Sequence, residues 1–354
     1  MRSEGHKIRS RYNQPRNEQP GHKQRGGAVK SVLLFLTVIF LLAAIALGGG
    51  GYYAYQEASR PGPLEQDVVV MLKPGSSVSS IANILSEAGA IRHPELFRAA
   101  ARVRQVESDL KAGEYKIPQN ASVMEIIDLL VEGKSILHYF TAAEGRTTAQ
   151  ILQLLEEAEN LTGDITLIPN EGELLPETFA FTHGETRDDL IRRMQKAQET
   201  VLDELWGDRA LELPFSTKQE AVILASIVEK ETGLASERPH IAGVFVNRLK
   251  RGMRLESDPT IIYGLTKGEP LGRGLRVSEL RGETPYNTYV IRGLPPTPIA
   301  NPGRDAIAAV LNPLETEDIF FVADGTGGHV FAPTLREHNQ NVAQWRRIER
   351  EQRQ

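Results

Sequence analysis

The sequence predicts an α+β protein with a single N-terminal transmembrane helix, a small α+β module and a larger mixed α/β domain. Three observations carry this. One long apolar run lies near the N-terminus; strand-type and helix-type segments alternate after it; and 354 residues are enough for two or three separate cores. Hydrophobic residues make up 40% of the chain and charged residues 25%, the balance of an ordinary globular protein.

The membrane segment is VLLFLTVIFLLAAIAL, Val32 to Leu47, sixteen residues without a charge. With Gly48 to Gly51 it reaches a helix length of about 30 Å, one bilayer core. Tyr52, Tyr53 and Tyr55 follow where an interfacial aromatic belt would sit. The rival reading is a cleaved signal peptide. The run exceeds an h-region of roughly 7–15 residues and no clear A-x-A site follows, so an uncleaved anchor over residues 31–55 is expected. Residues 1–30 carry eight Lys/Arg against Glu4 and Glu18, a net of +6, while the rest of the chain carries a net of −11. A basic tail abutting a membrane helix reads as cytoplasmic rather than as a nucleic-acid arm. The positive-inside rule then places residues 1–30 in the cytoplasm and residues 56–354 across the cell membrane. The tail's Gly, Gln, Asn, Pro and charge content predicts disorder. With no cysteine in the chain, disulfides, thiolate catalysis and cysteine-ligated metal sites are excluded.

Residues 56–66 read as a linker. From 67 to 136 the pattern is strand (DVVVML), Pro74-Gly75 turn, amphipathic helix, a second helix over Pro94 to Arg104, strand GEYKI, and a helix capped by Ser122 that stops near Gly133. Residues 137–354 form the larger domain. It opens with strand LHYFT and a helix from about Thr147; GELLPETFAF, Gly172 to Phe181, reads as a Pro-interrupted loop. Helices are expected over 186–208 and 216–235, and a third capped by Ser236 and ending at Gly252. Residues 257–303 are rich in Gly, Pro, Asn and Thr, with Tyr263, Tyr286, Tyr289 and Leu294 interleaved. Such a segment inside a folded domain usually builds a binding surface. DIFFVAD reads as a buried strand, and a charged helix closes the chain.

Most familiar motifs fail on inspection. VEGKS resembles the end of a phosphate-binding loop but has Asp128 where glycine is required; G-x-S-x-G and H-E-x-x-H are absent. His329 and His338 near Asp324 lack metal-ligand spacing, and polar residues closing a loop account for them better. What remains is LASIVEKETG, Leu224 to Gly233. Thr217-x-x-Glu220 is a capping box, so its helix starts near Lys218. Counting from there, Glu231 continues the stripe of Leu224, Ile227 and Val228. Glu229 is rotated from it by about 200° and shares a face with Val222, Ala225 and Ser226. The two carboxyls cannot form an acid–base pair on one face. A carboxyl ending an apolar stripe at a cleft is partly desolvated, and its raised pKa suits a general acid near neutral pH. Two solvated glutamates pairing with Lys230 or Arg238 explain the local pattern equally well.

The run ASIVEKETG…SERPHIAGVFVNRLKRGMRLESDPTIIYG, followed by TPYNTYVIRGLPP, IANPG and FVADGTGGHVF…EHN, closely resembles the endolytic murein transglycosylase, or YceG-like, family. EGRTTAQI, EGELLPETF, LKPG and AGEYKI extend the resemblance over roughly residues 66–345. It implies a LysM-like subdomain at 67–136 and a catalytic domain at 137–354. It implies cleavage within peptidoglycan glycan strands between MurNAc and GlcNAc, leaving 1,6-anhydro-MurNAc ends, at sites of new wall synthesis beside cell-wall synthesis proteins. It places the catalytic glutamate, the second of E-K-E-T, on Glu231. No metal or cofactor is implied. Glu229 is expected to support a neighbouring loop. Ser257, Asp258, Thr260 and Tyr263, and Asn287, Thr288 and Tyr289, match the family's S/T-D-P-T-x-x-Y-G and YNTY; glycan contacts are one reading of them, and backbone groups satisfied in tight turns the other. Two departures stand out: Glu177 where the family commonly has Asp, and Thr297-Pro298 where Gly-Pro is usual.

Overall fold

The computed structural model describes residues 26–352. The expected basic tail lies outside them, apart from residues 26–30, which begin the first helix. That helix, α1 (Gly26–Ser59), is longer than the apolar run at both ends. Among the described residues, Lys30–Ser59 is the one helix long and apolar enough to cross a membrane, with mean hydropathy 2.8. Val32, Leu34, Phe40 and Leu47 expose 58–78% of their surface, so none of the described residues covers them. The first four residues of the expected linker, 56–59, are helix. Ala58 and Leu64 are buried in the small module's core, and Gly62 passes so close to Ala121 that a Cβ there would lie 2.2 Å from its carbonyl oxygen.

The small module is β1 (Val68–Leu72), α2 (Val78–Glu87), α3 (Pro94–Val103), β2 (Gly113–Ile117) and α4 (Val123–Glu132). β1 and β2 pair antiparallel, Val70 opposite Tyr115. Strand alternation sends Val70 and Leu72 inward and leaves Val69 exposed. The inward residues meet Leu85 of α2, Phe97 of α3 and Ile126, Ile127 and Leu130 of α4. Ser122 and Glu125 form a capping box at the start of α4, and Gly133 ends it in the left-handed conformation.

A second core organises β3 (Leu137–Thr141), α5 (Thr148–Glu157), β4 (Thr178–Thr182), α6 (Arg187–Gly207), α7 (Lys218–Glu231), α8 (Arg238–Lys250), α9 (Asp258–Thr266), α10 (Val277–Arg281), α11 (Arg304–Leu311), β5 (Phe320–Ala323), β6 (His329–Ala332) and α12 (Leu335–Gln352). α7 is its axis, packed against α8, α9 and α11. Five expectations change. The second half of GELLPETFAF is strand β4, because Thr178–Thr182 pairs antiparallel with β3. α7 stops at Glu231, four residues early. Ser236 caps nothing: it lies in a 3-10 turn, and α8 starts at Arg238 with Pro239 in its first turn. The turn-rich segment contains α9 and α10. DIFFVAD is only half-buried and pairs with a strand at His329–Ala332 that the reading did not separate.

Candidate active site

The site is built on the C-terminal turn of α7. The capping box at Thr217 and Glu220 sets the helix phase from its first residue. From Ala221 to Glu229 the helix is buried around its whole circumference. The contrast between an apolar and a small-residue face therefore does not separate the two glutamates in the folded protein; their partners do.

Glu229 is the more buried of the two. Its carboxylate accepts from Arg238 Nη2 at 3.0 Å and from the Gly303 N–H at 3.0 Å. Arg238 also reaches Glu144 at 2.8 Å and Asp305 at 3.6 Å. Burial pushes the Glu229 carboxyl up, against the pull of Gly303 and Arg238. Its oxygens are thus both engaged by the protein.

Glu231 emerges where the helix ends, into a cleft of about 440 Å³ lined by Arg248, Leu255, Glu256, Asp258, Tyr289, Phe321 and His338. Burial pushes its carboxyl up to about 7; the hydroxyl of Ser257, which donates to Oε1, pulls it down, and the nearby charge of Asp258 adds to the rise. His329 and Arg248 oppose that rise from a distance. A carboxyl titrating near neutrality can give a proton and take one back at the same pH.

The loop carrying Ser257 is held from beneath. The Ser257 N–H donates to Thr288 Oγ1 at 3.0 Å, and the Thr260 and Thr288 hydroxyls lie 2.9 Å apart, both fully buried. Asn287, also fully buried, donates to the carbonyls of Glu279, Leu280 and Gly282 and accepts from the Tyr289 N–H. Thr260, Asn287 and Thr288 therefore face the loop's interior, as the turn reading has it. Asp258 and Tyr289 do line the cleft, and the Tyr289 hydroxyl donates to Asp258 at 2.7 Å. Tyr263 belongs elsewhere: its hydroxyl donates to Glu171, which also accepts from Thr148 and Asn301.

The YceG-like family model matches residues 70–344. The chain belongs to the YceG-like family. An endolytic murein transglycosylase of Streptococcus pneumoniae serotype 2 (strain D39) is 29% identical over 360 residues, covering 87% of this chain and 64% of its own length. An endolytic murein transglycosylase of Bacillus subtilis (strain 168) is 30% identical over 328 residues, covering 82% of this chain and 89% of its own. A crystal structure of a yceG-like protein from Listeria monocytogenes covers 78% of this chain and 99% of its own, with 27% identity and a TM-score of 0.49. The chain thus spans just under two thirds of the pneumococcal relative.

In this YceG-like chain the cleft also holds Arg248, which sequence reasoning passed over, and His338, which it gave to closing a loop. Arg248 is buried, donating to the carbonyls of Ile319, Arg254 and Leu255 and pairing with Glu256 at 3.1 Å. Its only local signal is a cation on an otherwise buried helix. His338 stacks on Phe320 with its Nδ1 buried and unpartnered, and burial holds its pKa down. His329 is gripped by Glu237, which accepts from both its N–H and its Nδ1 at 2.8 Å. Asp324 accepts from Thr326 and Gly328 in the β5–β6 turn. His329 and Asp324 thus have separate partners that close the β5–β6 turn, while His338 lines the cleft instead. Among the described residues, one group of three can hold a metal ion, Glu114, His138 and His183, and it lies outside the cleft.

Proposed function

We propose that this protein is a membrane-anchored endolytic lytic transglycosylase of peptidoglycan, with Glu231 as its catalytic acid and base. The observation that carries the reading is a single half-buried carboxyl, poised near pH 7 and held by a hydroxyl at the mouth of a polar cleft. The names of the curated relatives support the reaction class.

Glu231 protonates the glycosidic oxygen as an oxocarbenium-like centre develops at C1 of the MurNAc unit. The resulting carboxylate then takes the proton of that sugar's own 6-hydroxyl, whose oxygen attacks C1 and closes the 1,6-anhydro ring. No water enters and no second carboxylate is required. Ser257 orients the Glu231 carboxyl, and its hydroxyl stabilises the carboxylate between the two proton transfers. Asp258 and Tyr289 are the glycan contacts of this reading; Thr260, Asn287 and Thr288 hold the Ser257 loop, Tyr263 ties α9 to Glu171, and Glu229 ties α7 to α8. The 67–136 module is LysM-like and grips the glycan strand. α1 anchors the enzyme in the cell membrane with its N-terminus cytoplasmic and the cleft outside, beside wall-synthesis proteins whose nascent strands it ends.

The test is digestion of purified peptidoglycan by the full-length protein in detergent, with mass spectrometry of the released fragments. Anhydro ends are expected, and Glu231→Gln should lower their yield by roughly 10²–10⁴-fold. Reducing ends from the wild type would replace the transglycosylase with a hydrolase.

A further inference from the structure

Glu114, His138 and His183 come from three separate segments. Glu114 lies on β2 of the small module, His138 on β3, and His183 just after β4. His138 Nε2 sits 2.7 Å from Glu114 Oε2, and one ligand atom from each of the three lies within 4.8 Å of the others. All three are half-buried, so the site is shielded from bulk water yet reachable. Their rings are held from behind. Asn160 reaches the Nδ1 of His138 at 3.1 Å and the Nδ1 of His183 at 3.3 Å. The Gly184 N–H donates to the Asn160 carbonyl at 3.0 Å, tying that residue to the loop of His183. Phe181 packs against the His138 ring with centroids 5.7 Å apart. The His183 Nδ1 donates to Asn160 Oδ1 and leaves Nε2 for a ligand, as outer partners do at metal-binding histidines. The His138 Nδ1 instead accepts from the Asn160 amide, and its Nε2 donates to Glu114. His138 therefore ligates through Nε2 only once the Asn160 side chain turns away and its ring proton moves to Nδ1.

We propose that Glu114, His138 and His183 form a structural zinc site that clasps the small module to the larger domain. Two neutral imidazoles and one carboxylate are a zinc donor set, whereas calcium and magnesium prefer all-oxygen cages. Tetrahedral bonds of about 2.0–2.1 Å put ligand atoms about 3.3 Å apart, so the Glu114–His138 pair, now at 2.7 Å, opens slightly while the remaining separations, up to 4.8 Å, close, a side-chain adjustment. Water completes the tetrahedron. The clasp spans the exposed connection at Lys134, across which the two cores are otherwise joined by the backbone hydrogen bond from Ile136 N–H to Glu114 O. Its role is geometric: with zinc bound, the small module and the cleft hold one orientation.

Chelator-treated, untagged full-length protein in detergent is titrated with zinc by calorimetry, with calcium and magnesium as separate titrants. The expected result is zinc binding that His183→Ala and His138→Gln each weaken by more than about tenfold, with neither hard cation replacing it. In parallel, zinc slows tryptic cleavage at Lys134 in the wild type and not in His183→Ala. His183 makes only one 3.3 Å hydrogen bond within the cluster, so its loss leaves the fold intact by circular dichroism. Zinc binding unchanged in both variants, or no zinc binding at all, overturns the proposal and leaves a hydrogen-bonded cluster. Either outcome leaves the Glu231 chemistry untouched, since the clasp is outside the cleft.

Discussion

Glu229 and Glu231 are one residue apart and should respond oppositely to the same amide substitution. The folded-state pKa of Glu231 is raised from 4.5 to about 7 by burial. A carboxyl with a raised folded pKa binds more protons folded than unfolded, so stability falls as pH rises from about 4.5 to about 7 and stays lowered above. Glu231→Gln should therefore stabilise the protein at pH 8, on the order of 1–2 kcal/mol after solvent screening, and change little at pH 4. Burial raises the Glu229 pKa too, but Glu229→Gln also turns an amide N–H against the Arg238 or Gly303 donor. Those unmatched donors should outweigh the relieved desolvation by about 1–2 kcal/mol at pH 8. Urea melts of the two variants at pH 8 decide it; shifts of the same sign would mean that both carboxyls are structural. Ser257 gives a kinetic counterpart. Its hydroxyl lowers the Glu231 pKa, so Ser257→Ala raises it. Cleavage that starts from protonated Glu231 loses rate as pH rises through that pKa, and the variant's descending limb should move to higher pH. A limb that stays put would separate Ser257 from the proton transfer.

At the scale of elements, the site depends on where α7 ends and on what meets it there. Sequence periodicity nominated Glu231 and the family resemblance placed the catalytic role on it, while the capping box at Thr217 located the helix start to the residue. The stated reason was incomplete, because α7 is buried all round and both of its faces are lined by the core. Glu231 is distinguished by standing at the last turn, where the core ends and the Ser257 loop arrives. The loop itself was legible as turn-rich, but not as an assembly in which Thr260, Thr288 and Asn287 spend their hydrogen bonds on backbone and on each other. Residue types suited to a sugar hydroxyl are equally suited to a carbonyl oxygen. Only packing shows which one they meet.

At the scale of the whole molecule, the described residues form two cores, one from Ala58 to Leu130 and one from Phe140 to Leu311. Both tryptophans, Trp206 and Trp345, lie in the larger unit. Phe97, fully buried in the small core, should cost about 3–5 kcal/mol when cut to Ala. The loss falls on the small module: far-UV circular dichroism should report an earlier transition while tryptophan fluorescence melts as in the wild type. Coincident shifts of both signals would make the two cores one cooperative unit.

Local chemistry along the chain was sufficient for the long apolar helix, the strand and helix order of the small module and the start of α7, and it nominated Glu231 without separating it from a solvated glutamate. Each depends on neighbours within a turn or two, where periodicity and capping act. The tertiary structure alone decided the pairing of β3 with β4, the partners that separate Glu229 from Glu231, and the meeting of Arg248, Asp258 and Tyr289 around one carboxyl. It also brought Glu114, His138 and His183 together. Those contacts join residues tens of positions apart, and no spacing rule reaches across a core whose packing sets the distance.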